Sequence, residues 1–81
     1  MSHRELDIVV LVRDMPEHAL RRGDAGTIVH VYSADTFEVE FVRASGATAA
    51  VVELGTADVR PARDDDQLAV RSGADAEPQR V

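Results

Sequence analysis

Hydrophobic and polar residues alternate most strictly in residues 36–42, which read TFEVEFV. After Thr36, an aromatic or branched apolar residue fills every second position, and glutamate fills the positions between them. This period of two predicts a β-strand with one buried side and one solvent-facing side. The buried side is expected to carry Phe37, Val39 and Phe41.

The segment before this strand predicts the first half of a β-hairpin. Residues 23–26 read GDAG and suit a turn, because glycine adopts positive φ without steric cost and aspartate bonds nearby backbone. Residues 27–32, TIVHVY, are almost all β-branched or aromatic and favour a strand. Residues 33–35 then interrupt the pattern. The rest of the fold is therefore expected to form around the hairpin at residues 23–41.

Apolar stretches on both sides of the hairpin predict three more strands. Leu6–Val12, LDIVVLV, is bounded by charged residues and is too short for an ordinary helix, so it predicts a central strand. Ala47–Leu54 has small side chains that suit crowded packing or a sheet edge. Residues 59–61 leave room for a short last strand that ends at Pro61.

The connection between the first strand and the hairpin, residues 14–22, is long and irregular. It contains Pro16, which cannot donate a ladder hydrogen bond and leaves room for at most one helical turn. We expect Leu20 and Met15 to turn inward and to hold this connection against the core.

Five short strands with one long connection and tight turns predict an all-β fold, a small five-stranded SH3-like barrel over residues 1–63. An OB-like barrel is the alternative, but it normally needs a longer chain. Residues 64–81 have few large apolar side chains and predict a mobile acidic tail, because they bury too little surface to offset their ordering entropy. The predicted core consists of Ile8, Val10, Val12, Leu20, Ile28, Val31, Phe37, Val39, Phe41, Val52, Leu54 and Val59.

Composition narrows the range of functions. The 81 residues contain no cysteine, so disulfides, zinc–thiolate sites and thiol nucleophiles are excluded, and a reducing cytoplasm is the expected location. No apolar run approaches the roughly 20 residues of a membrane span. The formal net charge is −6, with nine basic residues that are all arginine. This balance disfavours nucleic acid, whose binding depends on neutralising phosphates.

Three glutamates are candidate partner-binding residues. Glu38 and Glu40 share one strand face, and Glu53 belongs to the following strand, so all three are expected on one outer face of the sheet. Exposed carboxylates lack the environment that separates pKa values for acid–base catalysis. The group is either a solvated face that blocks aggregation or an acidic docking surface for a basic partner.

Three arginines form a second candidate group. Arg13, Arg21 and Arg22 flank the long connection, and free backbone N–H groups around residues 23–26 could help them bind an anion. Acidic residues are interleaved with these arginines and neutralise much of their field; they are Asp14, Glu17 and Asp24.

No catalytic, cofactor or metal motif stands out. The histidines His3, His18 and His30 are not at a ligand-pair spacing such as i, i+4 on a helix. The chain has no G-x-S-x-G elbow, and the glycines of G-D-A-G do not form a phosphate loop. We therefore expect no enzyme activity, no cofactor and no metal site.

Three pieces of sequence, in order, resemble a bacterial family of small uncharacterised proteins, domain of unknown function 4926. They are D-x-V-x-L-x-x-D-x-P at Asp7–Pro16, R-G-D-x-G-T-I-V at Arg22–Val29, and a Y-x-V-E-F-type strand at Phe37–Phe41. The resemblance implies an SH3-like barrel over about Leu6–Pro61 and brings no established activity. The glycine pattern is also similar, over a shorter stretch, to KOW-type barrels of ribosome- and polymerase-associated proteins.

Three functional hypotheses follow. The first is a non-enzymatic protein-interaction module, an acidic antitoxin- or immunity-type partner of another bacterial protein such as a neighbouring gene product. The second is a KOW-like nucleic-acid or ribonucleoprotein module that uses the arginine loop and Tyr32. The third is a self-associating structural domain, a homodimer that pairs through an exposed edge at Ala47–Leu54.

Overall fold

A computed structural model of the chain describes residues 3–72. These residues form one antiparallel sheet with the strand order β4-β3-β2-β1-β5. The elements are β1 (Ile8–Leu11), a 3₁₀ helix (Pro16–His18), β2 (Ala25–Val31), β3 (Thr36–Val42), β4 (Thr48–Gly55) and β5 (Val59–Pro61). The all-β, five-stranded prediction is confirmed. In the described range, no helix is long and apolar enough to cross a membrane.

One core cluster collects side chains from all five strands and from the connection after β1. Its members are Val9, Leu11, Met15, Leu20, Ile28, Phe37, Val39, Phe41, Val52, Leu54 and Val59. The edge strands β4 and β5 both contribute to this one cluster, so the sheet curves around it. Within residues 3–72 the ladder stays open between β4 and β5. The structure therefore shows a curved, open sheet.

The pleat of β1 differs from the prediction by one residue. Ile8 is 48% exposed and Val12 is 38% exposed, whereas Val9 and Leu11 are each only 1% exposed. The placement of Ile8 and Val12 in the core is therefore wrong. Leu6 has a φ of 73°, a left-handed conformation that interrupts the extended chain, so the strand begins only at Ile8.

Val10 is buried as predicted, but on the side of the sheet opposite to the core. Alternation along β1 points it away from Val9 and Leu11, and it lies between Ala25 of β2 and Arg60 of β5. On either side of Val10, side-chain hydrogen bonds connect the chain after β5 to the sheet. Arg60 donates to Asp66 at 2.8 and 2.9 Å, and Arg71 donates to Asp24 at 3.0 Å.

Residues 64–72 thus lie beside the sheet, held by the Arg60–Asp66 and Arg71–Asp24 ion pairs. The predicted boundary at residue 63 and the mobility of the chain beyond it remain predictions. The remainder of the predicted tail, residues 73–81, lies outside the described residues.

The predicted inward anchors of the long connection are confirmed. Met15 and Leu20 are both buried, and each donates its backbone N–H to the other's carbonyl, at 2.9 and 3.1 Å. Ala19 closes the single 3₁₀ turn in a left-handed conformation with a φ of 56°. The connection therefore packs against the core through Met15 and Leu20.

The hairpin agrees most closely with the prediction. β3 spans residues 36–42 as predicted, and Phe37, Val39 and Phe41 are buried. β2 begins two residues before the predicted start at Thr27. Val31, predicted in the core, is only partly buried and packs against its rim.

Candidate functional site

The structure brings the three candidate glutamates together on the outer face of β3 and β4. Glu38 lies directly opposite Glu53, and Glu40 lies opposite Val51. Because directly opposite residues of an antiparallel pair point to the same side, all three carboxylates face away from the core. Like charges directly opposite each other destabilise a sheet. The opposed Glu38 and Glu53 therefore do not stabilise the folded sheet.

Tyr32 and His30 border this acidic pair. The Tyr32 hydroxyl donates a hydrogen bond to Glu38 Oε2 at 3.2 Å, and the two rings meet edge to face with centroids 4.6 Å apart. Partial desolvation of the phenol raises the pKa of Tyr32, and the charges of Glu38 and Glu53 raise it further. The Tyr32 phenol, which is protonated at neutral pH, is a hydrogen-bond donor beside the carboxylates.

The same face also carries exposed apolar side chains. Val42 continues the outward positions of β3, and Val51 lies beside Glu53 on β4; both are exposed. Thr48 donates its hydroxyl to Glu40 Oε2 at 2.6 Å and orients that carboxylate. The outer face of β3 and β4 therefore combines carboxylates with an aromatic ring and exposed valines.

The outer edge of β4 has no paired strand in the part of the chain that the structure describes. The Thr36 carbonyl accepts the N–H of Tyr32 on the β2 side of β3. Gly55, which lies opposite Thr36 on β4, donates its N–H to the Asp58 carboxylate and accepts the N–H of Asp58 with its carbonyl. Hydrogen-bonded and non-hydrogen-bonded pairs alternate along an antiparallel ladder. The N–H and C=O groups of Val51 and Glu53 therefore point out from the sheet edge.

The structure places the candidate arginines apart from this face, on the connection between β1 and β2. Arg13 donates from Nε to Asp58 Oδ1 at 2.8 Å, and this hydrogen bond raises the pKa of its guanidinium. Arg21 and Arg22 donate their backbone N–H groups to Asp24 and Asp14 at 2.9 and 2.8 Å. Carboxylates are thus interleaved with the arginines, as the sequence predicts.

The expected free N–H groups near residues 23–26 are not all free. Gly23 donates its N–H to the Leu11 carbonyl at 2.9 Å, and Asp24 donates its N–H to the Arg21 carbonyl at 3.0 Å. This part of the anion-site prediction is wrong, because the Gly23 N–H bonds the end of β1 and the Asp24 N–H closes the turn after Arg21.

Asp58 is a structural residue that the sequence analysis did not single out. Its carboxylate accepts the backbone N–H of Gly55 at 2.9 Å as well as the Arg13 side chain, and its carbonyl accepts the N–H of Val12. The Gly55 hydrogen bond, followed by that from Arg13, lowers the pKa of Asp58. The residue therefore ties the turn before β5 to the end of β1.

The substitution Asp58→Asn is expected to lower the free energy of unfolding at pH 7 by about 1 to 2 kcal/mol, because charge-assisted hydrogen bonds are lost. A carboxyl whose pKa is depressed by folding contributes fully above its unfolded pKa of about 4. That contribution disappears as the pH falls through the lower folded value. Urea unfolding of wild type and variant should therefore differ most at neutral pH and converge in acid. Exposed Asp65→Asn is the control, and an equal loss in both variants would contradict the assignment.

The histidines are not assembled into a metal site. His3 packs its ring 4.8 Å from the ring of Phe37, His18 ends the 3₁₀ turn, and His30 lies on β2 beside Tyr32. Among residues 3–72, no group of three or more histidine, aspartate or glutamate side chains is arranged to hold a metal ion.

Fold and site together define a small all-β domain with an acidic, partly apolar outer face beside a β4 edge that has no partner strand among residues 3–72. The chain belongs to the family described as Domain of unknown function (DUF4926), whose model matches residues 5–61. The match includes all five strands, and it confirms the family named from the three sequence motifs. No curated protein and no solved structure matches the chain.

Proposed function

We propose that this chain is a non-enzymatic protein-interaction module that binds a basic partner protein through the outer face of β3 and β4. The observation that carries the proposal is the direct opposition of Glu38 and Glu53, with the Tyr32 hydroxyl bonded to Glu38. Two carboxylates directly opposite each other cost stability in the free domain. A cation from a partner would convert this repulsion into attraction and would favour the complex.

The fold that we propose for this module is an SH3-like barrel. Support comes from the strand order β4-β3-β2-β1-β5, the long connection after β1 and the short β5 that follows a tight turn. Curvature of the sheet around one core is consistent with this fold. A bacterial cytoplasm is the location that goes with the proposal, since the chain contains no cysteine.

The partner that we propose is a basic bacterial protein, with the product of a neighbouring gene as the first one to test. An antitoxin- or immunity-type role fits a domain with a formal net charge of −6 and a compact acidic face. Complementary charge speeds association and selects against wrong partners, which such a role requires.

Nucleic-acid binding has weaker support, because Arg13 is already engaged by Asp58, and carboxylates accept from the backbone of Arg21 and Arg22. Self-association has some support from the unpaired edge of β4. It is opposed by the repulsion between two copies that each carry a charge of −6.

The proposal predicts that the double variant Glu38→Gln, Glu53→Gln binds the neighbouring gene product about tenfold more weakly than wild type. Removing two like charges that face each other does not weaken the sheet, so the variant should be at least as stable as wild type. The tagged chain is purified from its native cells, and affinity for the recovered partner is then measured at two salt concentrations.

The matched control is Asp64→Asn, Asp65→Asn, which removes the same amount of charge from exposed positions after β5. We expect this control to bind like wild type. Equal weakening by both double variants would show that only net charge matters, and the assignment to the β3–β4 face would then be abandoned.

A further inference from the structure

We propose that the partner contributes an extended basic segment that pairs with the free edge of β4 and adds a sixth strand to the sheet. This inference deepens the proposed function and rests on it. It specifies the backbone of β4, and not its side chains alone, as the binding element. Strand addition of this kind derives affinity from main-chain hydrogen bonds and specificity from alternate side chains.

The hydrogen-bonding groups needed for pairing are already in position. Gly55 turns its backbone outward to Asp58, and the register from Gly55 to Ala50 is uninterrupted. The bulge in this ladder is confined to the opposite end, at Phe41/Val42. Val51 and Glu53 therefore present two donors and two acceptors along a stretch of edge without a bulge.

Among residues 3–72, the β4 edge has few of the devices that usually prevent strand pairing. Such devices are short length, proline, charged side chains, bulges or a covering segment, and β4 has one of them, the charge of Glu53. β4 is eight residues long, and its sequence TAAVVELG contains no proline and no lysine. The other edge strand, β5, is only three residues long and ends at Pro61, with Arg60 tied to the following segment through Asp66. The β5 edge is thus short and covered, whereas the β4 edge is long and available for strand pairing.

Charge decides which kind of strand fits the β4 edge. An added strand would place every second side chain on the outer face, next to Glu53 and one strand away from Glu38. An arginine or lysine at those positions would neutralise the opposed pair. A second copy of β4 contains no cation and would bring further negative charge. The favoured occupant is therefore a basic partner segment and not another molecule of this chain.

A designed peptide that alternates arginine with valine is the probe for this edge. We expect it to bind the full chain at about 50 mM salt and to slow hydrogen exchange of the Val51 and Glu53 amides in NMR spectra. The same peptide N-methylated on the residues that face the edge keeps its charge but loses the donors. It should bind at least about tenfold more weakly.

Val51→Pro tests the same edge from the domain side. Because the Val51 N–H points away from β3, proline there spares the existing ladder and removes a donor from the free edge. Val51→Thr keeps the N–H and is the matched control. We expect weaker peptide binding for Val51→Pro only. If Val51→Pro does not fold, the comparison of the plain and N-methylated peptides alone tests the strand pairing.

Equal binding of the plain and N-methylated peptides would overturn the strand-pairing inference. So would an absence of exchange protection at Val51 and Glu53. In either case the acidic-face proposal would stand or fall separately, on the Glu38→Gln, Glu53→Gln affinity. A concentration-dependent dimer that protects the same two amides without peptide would also overturn the inference, because the occupant would then be a second copy.

Discussion

Replacing Leu11 with alanine is expected to lower the free energy of unfolding by about 3 kcal/mol. Leu11 is 1% exposed and belongs to the core cluster, so the substitution removes buried carbon atoms and leaves a cavity. Its backbone also accepts the N–H of Gly23, which fixes the residue in place and limits collapse around the cavity. A domain of this size has only about 5 kcal/mol of stability. The variant should therefore be close to its unfolding transition at 37 °C.

Ile8→Ala is the matched control, because isoleucine and leucine lose the same number of carbon atoms when truncated. Ile8 is half-exposed, and we expect its truncation to cost about 1 kcal/mol. Urea denaturation of both variants, with unchanged slopes, measures the difference. A larger loss for Ile8→Ala would mean that the pleat of β1 follows the sequence prediction and not the observed orientation.

The contrast between β1 and β3 shows which part of the fold the sequence can predict. In β3, glutamates at alternate positions mark the solvent side, and the predicted buried residues are correct. In β1, consecutive apolar residues leave the phase of the pleat undefined. The charged flanks Asp7 and Arg13 do not define the phase, because both lie outside the strand, which begins at Ile8 after the left-handed Leu6 and ends at Leu11.

The candidate site also has one part that the sequence predicts and another part that it does not. The common face of Glu38, Glu40 and Glu53 follows from alternation and from adjacent strands, so the sequence was sufficient. The contact of Tyr32 with Glu38 depends on a register shift between Ile28 and His30, which has no clear marker in the sequence.

The long-range ion pairs could not be predicted from the sequence, for a different reason. Arg13 and Asp58 are 45 residues apart in the chain, and Arg71 and Asp24 are 47 residues apart. Charged residues are common in this sequence, so composition offers no way to choose partners. Only the pairing of β5 with β1 brings the first pair together. Because Arg13 is paired with Asp58, its charge is less available to bind a phosphate.

Replacing Gly26 with alanine is expected to destabilise the domain by about 2 to 3 kcal/mol, although only one methyl group is added. Gly26 is buried on β2 opposite Val9 of β1. A Cβ atom there would lie 2.6 Å from Val39 Cγ1, 2.9 Å from Phe41 Cε1 and 3.0 Å from the Glu40 carbonyl oxygen. The last of these is backbone and cannot rotate away. The added methyl must therefore push β2 from β3 or force the two core side chains off their rotamers.

Gly55→Ala provides the comparison, since Gly55 also lies in a strand and its φ is not positive. A Cβ atom at Gly55 would meet Asp35 O at 3.5 Å and Asp58 Oδ2 at 3.7 Å, which are ordinary contacts. We expect its stability to change by less than about 1 kcal/mol. Urea denaturation separates the two variants, and near-ultraviolet circular dichroism reports any repacking around Phe41. If both variants were equally stable, the close approach of β2 to β3 at Gly26 would be refuted. That result would also weaken the register that places Glu38 and Glu40 on the outer face.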